Sequence, residues 1–143
     1  MEQWVARAVA DGATVRTGGT RRGAFYEPTV LTDVPEGATV LTEEIFGPVV
    51  SITAFDALDD AIAAANDSEY ALQAGVFTQS VDTAFEVSSR LVTGAVVVNG
   101  TSDVRVDSMP FGGFKNSGVG REGVRYAVEA MTEPKNTIIN LPS

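Results

Sequence analysis

The sequence predicts an α/β fold: a parallel βαβαβ core with an N-terminal helix and hairpin and a C-terminal helix and strand. Three observations carry that expectation. Between Val49 and Val98, short β-branched or apolar runs alternate with segments of helical period. The links between them are short, and strand–helix–strand units with short links close parallel and right-handed. The 143 residues are 44% apolar and 20% charged, which suits one ordinary soluble, globular domain spanning 1–143.

Each element has its own justification. Trp4, Val5, Ala8 and Val9 recur at helical spacing, and Gly12 is placed to cap that helix. Ala13 to Thr17 alternates apolar and polar residues, Gly18-Gly19 marks a turn, and Phe25 to Leu31 is the returning strand of a hairpin. Asp33 to Gly37, containing Pro35, is loop. Val49 to Phe55 is β-branched and aromatic. Asp56 or Asp59 starts a helix carrying Leu58, Ile62 and Ala65, which ends near Asn66-Asp67. Ala74 to Thr78 is a short apolar strand. Ser80 caps a second helix with Val81, Ala84, Phe85, Ser88 and Leu91 on one side, closed by Gly94. Ala95 to Val98 is a continuous apolar run, the pattern of a strand buried on both faces. After a loop over 100–110, Val124, Ala127, Val128 and Met131 form a helical stripe, and Lys135 to Leu141 reads as a closing strand.

Composition excludes several classes of function. Ten Lys+Arg against 19 Asp+Glu leave a formal charge of −9, which opposes nucleic-acid and anionic-membrane binding. No apolar run approaches the roughly 20 residues of a membrane helix. The first residues lack the basic start and apolar stretch of a signal peptide, and the absence of Cys leaves a cytoplasmic location as the default expectation. There is no Cys, which removes disulfides, thiolate metal sites and a thiol nucleophile. There is no His, which removes a Ser-His-Asp triad and imidazole-ligated metal. No metal site is expected.

Three stretches invite a chemical interpretation. Gly118-Val119-Gly120-Arg121-Glu122-Gly123 matches G-x-G-x-x-G, but no apolar strand runs into it and no βαβ unit follows. The stretch is read instead as a glycine-rich entry into the Val124–Met131 helix. In Glu43-Glu44-Ile45-Phe46-Gly47-Pro48, an extended backbone would project Glu44 and Phe46 from one face. That carboxylate suits two vicinal ribose hydroxyls, and that ring suits a planar group. A polar loop with Phe46 packed in the core is the competing interpretation. Arg105 lies in the 100–109 loop and could pair bidentately with a carboxylate, phosphate or phosphonate. A surface pair with Asp103 or Asp107 is its alternative. Tyr26, Glu27 and Lys115 are read as structural.

Glu44-x-Phe46-Gly47-Pro48 resembles the cofactor-side motif of the NAD(P)-dependent aldehyde dehydrogenase superfamily. So does the long signature from Pro110-Phe111-Gly112-Gly113-Phe114-Lys115 through Asn116-Ser117-Gly118 to Gly120-Arg121-Glu122. Gly18-Gly19, the Tyr26–Leu31 segment, Ala95, Val97 and Asn99, and Thr132-Glu133-x-Lys135 fit in the same order, so the resemblance covers essentially the whole chain. Arg105-Val106-Asp107-x-Met109-Pro110 and Arg121 to Tyr126 are most similar to the lactaldehyde and phosphonoacetaldehyde dehydrogenase group.

The resemblance implies the C-terminal part of a catalytic domain. It implies Glu44 for cofactor ribose, Phe46 for nicotinamide and the 100–109 loop, which carries Arg105, for the substrate mouth. The family's Rossmann domain, general-base Glu, oxyanion Asn and nucleophilic Cys lie upstream of the matched region. The chain is therefore expected to be a truncated homologue, a pseudoenzyme unable to oxidise aldehydes alone. The family uses NAD or NADP; no cofactor is expected for the isolated chain. Three alternatives stay open: a complementing subunit, a fragment of a full enzyme, or a repurposed enzyme using Glu44 for acid–base chemistry on a small-molecule ligand. A homodimer is expected, because removing the family's usual packing partners would expose strand edges and apolar faces.

Overall fold

The structure, a computed structural model, describes residues 1–142. The chain divides into two compact units, with the boundary between Ala61 and Ile62. Both mix helix and strand, so the α/β class holds. Among the described residues no helix is long and apolar enough to cross a membrane.

The first unit opens with α1 (Glu2–Ala10), which buries Val5 and Ala8 one turn apart. Its end is a Schellman closure: Gly12, at φ 119, donates to the Val9 carbonyl, and Ala13 donates to that of Ala8. The chain then forms β1 (Thr14–Thr17), β2 (Arg21–Arg22), β3 (Phe25–Tyr26) and β4 (Thr29–Thr32). The returning segment is thus two strands rather than one. Pro28 has no N–H to donate to a ladder and separates them. β2 and β3 form a small antiparallel ribbon, while β1 pairs antiparallel with β4.

After α2 (Thr39–Thr42), β5 (Val49–Ile52) lies parallel to β4. The order β1-β4-β5 puts β4 in the centre, where Leu31 is fully buried. Val5, Ala8, Ala13 and Val40 complete this core, with Trp4, Tyr26 and Ile45 packed against it. β5 therefore takes its parallel partner from a strand that sequence periodicity assigns to a hairpin alone.

The second unit is reached through α3 (Leu58–Asn66), then β6 (Tyr70–Ala71), β7 (Gln73–Val76), α4 (Val81–Arg90) and β8 (Ala95–Val98). β7 and β8 pair parallel around α4, the expected strand–helix–strand unit. The Ser80 hydroxyl accepts from the Thr83 N–H and caps α4 as predicted. The inward side of α4 is Thr83, Ala84, Val87 and Leu91, whereas Val81 and Phe85 face solvent. β8 is half-buried, not covered on both faces. The chain ends in β9 (Phe114–Lys115), antiparallel to β6, and α5 (Val124–Ala130). The α5 stripe exists, but none of its residues is buried. No strand forms over 135–141 among the described residues, because no ladder partner lies alongside that segment.

Candidate functional site

Residues 43–48 connect α2 to β5. Ile45 turns inward onto the core of the first unit, while Glu44 is exposed and Phe46 is 87% exposed. This in–out alternation places the carboxylate and the ring on the solvent side. Phe46 is consequently not a core residue, which removes the packing alternative. Two hydrogen bonds fix the segment. The Val49 N–H donates to Gly47 O at 2.8 Å, a γ-turn centred on Pro48, and the Thr29 N–H donates to Pro48 O at 2.8 Å, opening the β4–β5 ladder. A shallow depression of about 330 Å³ lies beside Gly47 and Pro48, walled by Thr17, Pro28, Val30 and Val50.

In the second unit, the loop after β8 carries Arg105. Neither Asp103 nor Asp107 pairs with it. Its Nη2 donates to Glu122 Oε2 at 2.8 Å, and its guanidinium carbon lies 4.8 Å from the centre of the Phe111 ring. Asp103 instead accepts from the Thr101 hydroxyl. Arg105 borders a depression of about 300 Å³ whose apolar walls include Met109, Phe111, Val124 and Ala127, with Asp107 as its other charged member. Sequence reasoning missed Glu122 and Phe111 as partners of Arg105. They stand 17 and six positions away in the chain, and the only available signal was their place in the glycine-rich signature.

That signature is a folded clasp. Phe111 and Glu122 exchange backbone hydrogen bonds of 3.1 and 2.6 Å, which closes residues 112–121 into a loop. Inside it, Arg121 donates to the carbonyls of Gly113 and Gly120 and stacks on Phe114. Ser117 Oγ accepts from the Ala71 N–H at 2.8 Å and ties the loop to β6. Lys115 Nζ donates to the Asn66 and Ser68 carbonyls at the end of α3, which agrees with a structural role. The G-x-G-x-x-G stretch forms the closing side of this clasp and leads into the seven-residue α5; it is not a turn between a parallel strand and its crossover helix. No group of His, Cys, Asp and Glu able to hold a metal ion occurs among the described residues.

Comparison with known proteins agrees with these motifs. The profile of the aldehyde dehydrogenase family matches residues 1–137. The chain is 46% identical over 141 residues to 3-sulfolactaldehyde dehydrogenase from Priestia aryabhattai, a match covering 99% of this chain and 30% of that protein. It superposes on aldehyde dehydrogenase 21 from Physcomitrella patens, solved with the reaction product succinate. There the TM-score is 0.89 at 46% identity, over 92% of this chain and 27% of the other. An NAD+ complex of aldehyde dehydrogenase from Bacillus cereus gives a TM-score of 0.89 at 41% identity, over 99% and 29%. The chain thus spans about 30% of the length of the curated relatives it matches.

Proposed function

The chain belongs to the aldehyde dehydrogenase family, and from that premise we propose that these 143 residues supply cofactor-side and substrate-side contacts for an NAD(P)-dependent aldehyde oxidation that they do not perform alone. The observation that carries this reading is the exposed pair Glu44 and Phe46, set outward on either side of the inward Ile45. An ionised carboxylate there accepts hydrogen bonds from vicinal ribose hydroxyls, and the free ring face packs on a planar pyridine. When bound, the nicotinamide supplies the hydride acceptor; Glu44 and Phe46 only hold and orient it. Arg105 takes the acidic tail of the aldehyde. A sulfonate in the name of one relative and succinate bound to another support an anionic substrate.

Oxidation through a thiohemiacetal needs a thiolate, and the 143 residues contain no Cys. Phosphate and adenine contacts of the kind a Rossmann domain provides are matched by nothing in this sequence. The nucleophile and the rest of the cofactor site therefore belong to other residues. The reading extends to a homodimer in the cytoplasm, supported by exposed apolar segments and by cysteine-free composition.

The test is direct. Homogeneous chain is incubated with NAD or NADP and a panel of short aldehydes, including acid-tailed ones, and the 340 nm absorbance of reduced cofactor is followed (roughly a one-turnover detection limit suffices). No sustained reduction is expected; continuous turnover would overturn the proposal. Calorimetric titration with NAD is expected to show weak binding that Glu44→Gln weakens further. Low-micromolar affinity would overturn the expectation of weak binding, and no effect of the substitution on measurable binding would remove the assigned role of Glu44.

A further inference from the structure

Glu122 has no role in the reading above, yet its surroundings hold it in one place. Its backbone is pinned on both sides to Phe111, by the Phe111 N–H at 3.1 Å and the Phe111 carbonyl at 2.6 Å. The carboxylate and the ring therefore form one platform, and the Arg105 guanidinium rests on both parts of it.

We propose that Glu122 is a positioning residue: it fixes Arg105 so that the free N–H edge of the guanidinium is presented to the carboxylate, sulfonate or phosphonate of an acid-tailed aldehyde. The inference rests on the assignment of Arg105 made above. Three points carry it. Arg105 lies on a loop with no helix or strand of its own, so its long side chain needs an outside anchor to hold one geometry. The ion pair engages one nitrogen, Nη2. Nε and Nη1 have no hydrogen-bond partner among the described residues, which leaves donors for a second anion. Arg105 itself borders the depression that Met109, Phe111 and Val124 wall with apolar surface, a place for the carbon chain of such a substrate. A clamp that holds Arg105 without exhausting its donors favours an anionic tail over a neutral one.

The experiment follows the Arg105 Nε–H resonance of the full chain by NMR, assigned by its loss in Arg105→Lys. Succinate is the anionic probe and succinamide its neutral counterpart. The wild type is expected to respond to succinate and not to succinamide. Glu122→Ala is expected to weaken succinate binding about tenfold. Glu122→Gln keeps an acceptor at the same reach and is expected to stay within about twofold of wild type. Should Glu122→Ala lose its dispersed spectrum, Glu122→Asp, which withdraws the carboxylate by one methylene, is expected to show the same weakening. A wild type that ignores succinate overturns the assignment of Arg105, and this inference with it. Succinate binding by the wild type that is unchanged in Glu122→Ala, or in Glu122→Asp where Ala does not fold, overturns the role of Glu122 alone.

Discussion

Replacing Phe46 by Ala is expected to leave stability almost unchanged, while Leu31→Ala is expected to cost several kcal/mol. Phe46 is 87% exposed, so the fold covers only the remaining 13% of its surface. Full burial of a Phe side chain is worth about 3 kcal/mol, which makes the covered share about 0.4 kcal/mol. Leu31 is 0% exposed and sits in the central strand, with Val15 opposite on one side and Ser51 on the other. Truncation to Ala removes three buried carbons at about 0.8 kcal/mol each, and the cavity brings the loss to about 3–4 kcal/mol. Trp4 is the single tryptophan and packs against the same cluster, so its fluorescence reports this core during urea unfolding. A loss above about 1.5 kcal/mol for Phe46→Ala would mean that the ring packs in the core, and the cofactor-side assignment would lose its main support. A loss below about 1 kcal/mol for Leu31→Ala would refute the burial argument itself.

Two further outcomes are expected. Asn66 joins the ends of two helices, donating to the Arg90 carbonyl at 2.9 Å and accepting from the Val92 N–H at 2.8 Å. Asn66→Ala should cost about 2 kcal/mol and speed amide exchange at Val92, and wild-type protection there would show that the link is dispensable. The Thr32 hydroxyl, then Thr14 and the nearby Arg16 guanidinium, hold the Asp33 carboxyl below the usual carboxylate range. A depressed folded value stabilises above the unfolded value of about 3.9 and is lost as pH falls through the folded one. The stability difference between wild type and Asp33→Asn should therefore be constant at neutral pH and shrink below about pH 4, and parallel pH profiles would show that Asp33 has no linked role.

Local physics made some of this structure legible in the sequence. Gly12 and Ser80 cap the helices their residue types predict, because a cap depends on neighbours within four positions. The outward pair Glu44 and Phe46 follows from the two-residue period of an extended segment. Pairings across long stretches of chain were not legible. β5 chooses β4 across the α2 connection, and no local pattern distinguishes that partner from a later strand. The apolarity of Ala95–Val98 was plain, but apolarity does not say what covers a strand, and here β8 is half-buried. Arg105 had two acidic neighbours two positions away, yet pairs with Glu122, because the backbone exchange between Phe111 and Glu122 carries that carboxylate to it. Spacing along the chain records only contacts made within a turn or a strand.

The last expectation concerns self-association, the homodimer proposed above. In α5 and the residue after it, Val124, Val128 and Met131 form an apolar stripe that stays exposed. Beyond it, Ile138, Ile139 and Leu141 are 85%, 75% and 84% exposed on a segment with no ladder partner among the described residues. Backbone N–H and C=O groups without a ladder partner, beside exposed apolar side chains, are a template for another strand. Apolar surface of this extent is unusual for a monomer, and a two-fold pairing is the commonest way to close it. The formal charge of −9 opposes association, but exposed charges more than about 10 Å apart are largely screened at physiological salt. Sedimentation of the intact chain beside one ending at Thr132 separates the contributions. A dimer that dissociates on truncation is expected, since the shortened chain loses all three terminal apolar residues and keeps the charge. A folded monomer at micromolar concentration would overturn the dimer. An unchanged dimer after truncation would move the interface away from residues 133–143 and leave the α5 stripe to be tested by Val128→Asp.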